Sequence, residues 1–205
     1  MKYCHNDALA MKEIAMTQGF QTTTLLSPEA LKERVVKEIS DAAGKLESGN
    51  IMWVSFSGHG VRVLDRSGDE YDGYDESWLL SDRILTDDEL HHLWSQFRPG
   101  VRLLIVLDCC HSGGIDISSN SAFPQIAASG IMLASCFEAQ LSREGENYGF
   151  FTENLLQIWN GGKFGRSYRK MNEQINQAMG ERQRSQYIRF GTLERGFTLS
   201  KPFTI

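Results

Sequence analysis

The run Val101-Arg102-Leu103-Leu104-Ile105-Val106-Leu107 constrains this chain more than any other stretch. It ends abruptly in Asp108-Cys109-Cys110-His111-Ser112-Gly113-Gly114. An apolar run of this kind, closed by reactive side chains and glycine, reads as a strand buried on both faces. Such strands belong to parallel sheets with helices on either side. Ile51-Met52-Trp53-Val54-Ser55-Phe56-Ser57-Gly58-His59-Gly60 is built the same way. In open α/β sheets ligands bind beyond the carboxyl ends of the strands, so His59 and Cys110 are expected at one sheet edge.

The remaining segments alternate as such a sheet requires. Asn6 to Gln18 reads as a helix, and Phe20 to Leu26 as a Thr-rich strand. Ser27-Pro28 opens a helix running to about Leu46, by cap and first-turn proline. Val61 to Leu64 extends the strand that ends in His59 into a hairpin, and Trp78 to Leu80 forms a short strand. Thr86-Asp87-Asp88-Glu89 is a capping box for a helix through Phe97. Gly130 to Ser135 is a further buried strand, and Cys136 to Tyr148 is a polar loop. Phe150 to Trp159 and Tyr168 to Met179 are helical, and Gln186 to Phe190 is a strand. The pattern predicts one α/β domain over residues 1–205 with a largely parallel central sheet flanked by helices.

Composition removes several classes of function. The 205 residues are 41% hydrophobic and 23% charged, ordinary for a soluble globular domain. No apolar run approaches the ~20 residues of a membrane span, and no signal-peptide pattern opens the chain. Asp65 to Glu89 carries ten acids against two arginines, a local net of −8 in a chain of −5, leaving the remainder at +3. That is no nucleic-acid footprint; it suits a cation or a positively charged ligand. Cys4, Cys109, Cys110 and Cys136 lack the spacing of a disulfide framework, which points to a reducing, cytoplasmic setting.

A thiol becomes a good nucleophile as thiolate, which a neighbouring imidazole promotes. The N–H groups of Gly60 and Cys110 are candidates for an oxyanion hole. Taken singly, Cys110 reads equally as a buried core thiol and His59 as a satisfied strand-end histidine. Both ending buried strands in one chain favours the catalytic pairing. His111, adjacent on the strand end, points away from the thiol. Zinc is excluded, since Cys109, Cys110 and His111 are consecutive and lack ligand spacing.

His59 precedes Cys110 by 51 positions, close to the ~50 between the two in caspases. Asp-x-Cys-His-Ser-Gly at Asp108 to Gly113 follows an apolar strand, and Ser-Gly-His-Gly spans Ser57 to Gly60. Cys4-x-Asn6-Asp7-Ala8, Asp72 to Glu76, Asp87-Asp88-Glu89 and Gly149-Phe150-Phe151-Thr152 follow the same order. On these motifs the chain resembles the metacaspases and their bacterial, orthocaspase-type relatives, in the caspase-like clan of cysteine proteases. The resemblance implies a caspase-like fold, with Cys110 as nucleophile and His59 as its partner. It also implies a preference for Arg or Lys before the scissile bond, read by pocket positions Cys4, Asp7, Ser57 and Asp108. Two carboxylates facing a guanidinium agree with that preference. The likeness begins at Cys4, so the strand that opens the family's sheet has no counterpart here. A truncated or processed piece, or another segment in that slot, is expected.

In calcium-dependent metacaspases the matching ligands are Asp75, Asp87, Asp88 and Asp116. Asp87 and Asp88 also read as first-turn acids of a capped helix. An EF-hand reading of Asp65 to Glu76 fails, because Glu70 stands where glycine is needed and a strand precedes. The expectation is a monomeric, calcium-stimulated endopeptidase acting on polypeptides with Arg or Lys at the cleavage site. Self-cleavage is expected after Arg143, Lys163 or Arg166. The alternatives are a non-catalytic caspase-like scaffold or regulatory module, and a hydrolase of small amides.

Overall fold

The computed structural model describes residues 3–65, 68, 73–110, 123–136 and 142–205. In chain order the elements are α1 (Cys4–Thr17), α2 (Lys32–Lys45), β1 (Ile51–Ser57), β2 (His59–Leu64), β3 (Tyr74–Leu79) and β4 (Ile84–Thr86). There follow α3 (Asp87–Ser95), β5 (Arg102–Asp108), β6 (Ser129–Ala134), α4 (Phe150–Trp159), α5 (Tyr168–Met179), β7 (Gln186–Gly191) and α6 (Arg195–Leu199).

The central sheet has the order β1-β5-β6-β7. β1, β5 and β6 run parallel, and β7 pairs antiparallel to β6. β5 is buried on both faces, as its uninterrupted apolar run requires. Leu103, Ile105 and Leu107 share a core with Ile39 of α2 and Leu90, Leu93 and Trp94 of α3. Leu104 and Val106 point the other way, into Met11 and Ile14 of α1, Phe151 and Leu155 of α4, and Met171 and Ile175 of α5. Burying each such side chain contributes roughly 1.5–3 kcal/mol before entropy is counted. Among the described residues no strand lies beyond β1.

Several expectations are met closely. α4 and α5 begin and end where the apolar periodicity placed them. Thr86 and Glu89 form the reciprocal capping box of α3. Others are corrected. Phe20 to Leu26 is irregular and half-buried to exposed, because among the described residues no strand pairs with it. α2 starts at Lys32 rather than at Pro28. Its first turn is capped from a distance: Lys32 N–H donates to Asp82 Oδ1 at 2.8 Å. Ser27-Pro28 belongs to a preceding turn, closed by Glu29 N–H to Leu26 O at 2.6 Å.

The apolar run ending at Gly60 is broken in two. β1 stops at Ser57, the chain bends at Gly58, and His59 opens β2 of a second sheet. That sheet is antiparallel, in the order β2-β3-β4; the expected hairpin through Val61 to Leu64 forms, but within this separate sheet rather than as an extension of β1. Its β3 is longer than the expected Trp78 to Leu80 strand. Stacked Phe56 and Trp78 rings, with centroids 4.7 Å apart, fasten it to the central sheet.

Candidate active site

Ser57 and Asp108 are direct register partners at the ends of β1 and β5. Two residues beyond each lie His59 and Cys110, so both strands deliver their reactive groups to the same end of the sheet. Gly60 makes the closest approach: a Cβ there would collide with the Cys110 carbonyl oxygen. Only glycine permits that backbone-to-backbone contact. His59 is exposed and Cys110 half-buried. Burial pushes the Cys110 thiol up, and a hydrogen bond from the Ser142 backbone opposes that shift. Cys109, on the opposite face, is 1% exposed and raised well above the usual thiol range, mainly by burial. It is inert packing.

Asp7 enters the site from α1, and its side chain is buried. Its Oδ2 accepts from Ser57 Oγ at 2.6 Å and its Oδ1 from Gly149 N–H at 2.8 Å. Burial pushes its carboxyl up to about 6, and the nearby Asp108 charge adds to the shift, against the bonds from Ser57 and Gly149. Asp108 is also buried. Its Oδ2 accepts from the Thr152 N–H at 3.0 Å and hydroxyl at 2.8 Å, and its Oδ1 from Ser142 Oγ at 2.6 Å. Burial raises its carboxyl too, while the Ser142 and Thr152 bonds pull it back. Gly149 makes room, since a Cβ there would run into the Asp108 carboxylate.

Both carboxylates therefore sit at the start of α4, whose own N-cap, Gly149, offers no side chain. The partial positive charge of a helix N-terminus stabilises them there. Every hydrogen-bond partner found for them among the described residues is a neutral donor. Cys4, the fourth expected pocket residue, is half-buried in the first turn of α1, ahead of Asp7.

The expected metal ligands divide. Asp75 (β3) and Asp87 (first turn of α3) are buried within electrostatic range of each other. Asp87 accepts from Glu76 N–H at 3.3 Å and Asp88 N–H at 3.1 Å. Burial pushes Asp87 up to about 7, and the Asp75 and Glu76 charges reinforce the shift. Arg62 pairs with Glu76 at 3.2 Å. Buried carboxylate oxygens suit a hard cation, yet among the described residues no three acids, histidines or cysteines are grouped to hold one. Asp116 and His111 lie outside the described residues.

The sequence reading assigned no role to Ser142, Thr152 or Gln183. Thr152 sits in the quoted Gly149-to-Thr152 motif, which was the available signal. Nothing local marks Ser142 or Gln183. Of the expected self-cleavage points, Arg143 has its amide bonded to Gln183 Oε1 at 2.8 Å and its carbonyl to Phe150 N–H at 2.8 Å. Lys163 and Arg166 are exposed. No helix among the described residues is long and apolar enough to cross a membrane.

The Caspase domain family matches residues 1–195. The chain is 31% identical to metacaspase-4 of Arabidopsis thaliana over 126 residues, 56% of this chain and 30% of that protein. It is 45% identical to metacaspase-1B of Aspergillus clavatus over 67 residues, 30% of this chain and 16% of that protein. It thus spans less than a third of the length of these curated relatives. A solved structure of a Geobacter sulfurreducens protein has a TM-score of 0.87 at 34% identity, covering 98% of this chain and 89% of that one. Caspase-1 from Spodoptera frugiperda shares the fold, with a TM-score of 0.64 at 19% identity over 93% of this chain and 79% of that one. With its central parallel strands ending together at Ser57 and Asp108, and a family match across most of its length, the chain belongs to the caspase-domain family.

Proposed function

We propose that this chain is a cysteine endopeptidase that cleaves after Arg or Lys. The observation that carries the basic preference is the buried pair Asp7 and Asp108, held at one sheet end by neutral donors alone among the described residues. Two carboxylates in a low-dielectric setting repel each other, and an incoming cation relieves that repulsion. Ser57 fixes the Asp7 carboxylate, and Cys4 lines the first turn of the same helix.

The resting Cys110 is held as thiol by its burial, so the reaction needs a base. His59 takes the thiol proton as sulfur attacks the scissile carbonyl, and the N–H groups of Gly60 and Cys110 receive the oxyanion. His59 then protonates the leaving amine. A water molecule, deprotonated by His59, hydrolyses the acyl-enzyme and restores the thiol.

Calcium stimulation is part of the proposal, with Asp75, Asp87, Asp88 and Asp116 as ligands. The support is the buried acid pair Asp75 and Asp87, whose mutual repulsion a divalent cation would relieve. Self-processing is placed after Arg166, whose peptide lies exposed between Gly165 and the start of α5.

Hydrolysis of Arg-, Lys- and Asp-ended peptide reporters by the wild type and Cys110→Ala tests the reading. Arg and Lys turnover that vanishes in the variant supports it. Turnover surviving the substitution removes Cys110 from the mechanism, and absent turnover favours a scaffold. A preference for Asp overturns the pocket.

A further inference from the structure

We propose that Ser142 is a positioning residue that ties the pocket for the basic side chain to the nucleophile. The inference rests on the peptidase reading above. The Ser142 hydroxyl donates to Asp108 Oδ1 at 2.6 Å. Its main-chain N–H donates to Cys110, which lies two residues beyond Asp108. A single residue thus has its side chain on the specificity carboxylate and its backbone on the thiol.

The segment that carries Ser142 is fastened along its length. Gln183, 1% exposed, accepts from Arg143 N–H at 2.8 Å and donates to Ser135 O at 2.7 Å, just past the end of β6. Phe150 N–H donates to Arg143 O at 2.8 Å, and Gly145 N–H to Tyr148 O at 2.8 Å. Asn6 of α1 donates to Asn147 O at 2.8 Å. These bonds fix the backbone beside Ser142, and among the described residues its hydroxyl is held only by the bond to Asp108.

The two contacts have different chemistry. A hydroxyl donating to a carboxylate favours the charged form, so Ser142 keeps Asp108 ionised and aimed as a basic side chain arrives. When that cation takes a lone pair of Oδ1, the hydroxyl turns. The amide stays in place because Arg143 is anchored, so the sulfur keeps its support while the pocket fills.

The test uses the whole chain as wild type, Ser142→Ala, Ser142→Thr and Ser142→Pro. Two profiles are recorded against pH: kcat and KM on an Arg-ended reporter, and the rate of Cys110 alkylation by iodoacetamide. Ser142→Ala is expected to raise KM about tenfold, the size of a lost hydrogen bond to a charged group. It also moves the acid limb of kcat/KM to higher pH, while the alkylation profile stays as in the wild type. Ser142→Thr restores both kinetic quantities. Ser142→Pro, which lacks the amide proton, moves the alkylation profile to higher pH as well; if it does not fold, the Ala and Thr pair decides. A Ser142→Ala enzyme with wild-type KM and acid limb overturns the inference, as does failure of Thr to restore them. Wild-type protein inert on the Arg reporter defeats the peptidase reading instead.

Discussion

Asp7 and Asp108 meet at the first turn of α4, where Gly149 N–H donates to Asp7 at 2.8 Å and Thr152 N–H to Asp108 at 3.0 Å. The carboxylates proposed to read the substrate also supply the cap that Gly149 lacks. The two duties are separable by experiment, because one depends on charge and the other only on acceptor oxygens.

Asp7→Asn keeps an acceptor for Gly149 and offers an amide to the Ser57 hydroxyl, but removes the charge. Hydrolysis of Arg reporters is expected to fall about 10²-fold in kcat/KM, as when one partner of a buried charge pair is lost. The fold survives, as circular dichroism would record. In the wild type the acid limb of Arg hydrolysis is expected at about 6, the value to which burial pushes Asp7. Protonation there abolishes the charge that faces the guanidinium. An acid limb unchanged in Asp7→Asn removes Asp7 from recognition.

Gly60→Ala places a methyl group against the Cys110 carbonyl oxygen. The backbones of the two reactive strand ends must then separate. A misplacement on the order of 1 Å costs about 10²-fold in rate, so kcat for Arg reporters is expected to fall by at least that much. A stability loss alone, with kcat intact, would show that the close approach is architectural.

Asp87 makes stability depend on pH. Its folded value of about 7 exceeds the ordinary 3.8, so across that window the folded chain keeps a proton that the unfolded chain has released. Stability therefore falls as pH rises from about 4 to 7. Denaturation midpoints measured over that range should show this slope, and Asp87→Asn should flatten it. If calcium binds here it displaces the same proton, so its stabilising effect should grow from pH 6 to pH 8. A midpoint indifferent to calcium at both pH values dismisses the metal and leaves the peptidase intact.

Gln183→Leu removes the acceptor for Arg143 N–H and the donor to Ser135 O. The buried Ser135 carbonyl loses this partner at a cost of about 1–3 kcal/mol, while the N–H of the exposed Arg143 can turn to water. Urea denaturation should show a midpoint lowered accordingly. An unchanged midpoint would mean that water replaces the glutamine.

The legible parts of the chain are those whose cause is local. β5 is encoded by its own apolar run, α3 by Thr86 and Glu89, and α4 and α5 by their apolar periodicity. Asp108 and Cys110 stood out because the buried run of β5 ends there, and the family resemblance assigned their roles; His59 was found by the same motif, although it opens β2 rather than ending a buried strand. What escaped depends on residues far apart in sequence. Phe20 to Leu26 has the composition of a strand but no partner. Ser27-Pro28 has the composition of a helix start, yet the cap is supplied by Asp82. The Ser142 contact to Asp108 spans 34 positions and the Gln183 contact to Arg143 spans 40. No window of local sequence encloses either.

The clasp at the start of α2 joins two regions of the chain. Lys32 N–H reaches Asp82, Ser81 N–H donates to Ala30 O at 3.0 Å, and the Ser81 and Ser27 hydroxyls meet at 3.2 Å. The start of the helix is therefore stabilised by the β3–β4 turn, and that turn belongs to the sheet that carries His59. Helix start and small sheet are expected to open and close as one cooperative unit. Amide hydrogen exchange would register this as matched protection at Lys32 and Ser81, lost together in Asp82→Ala.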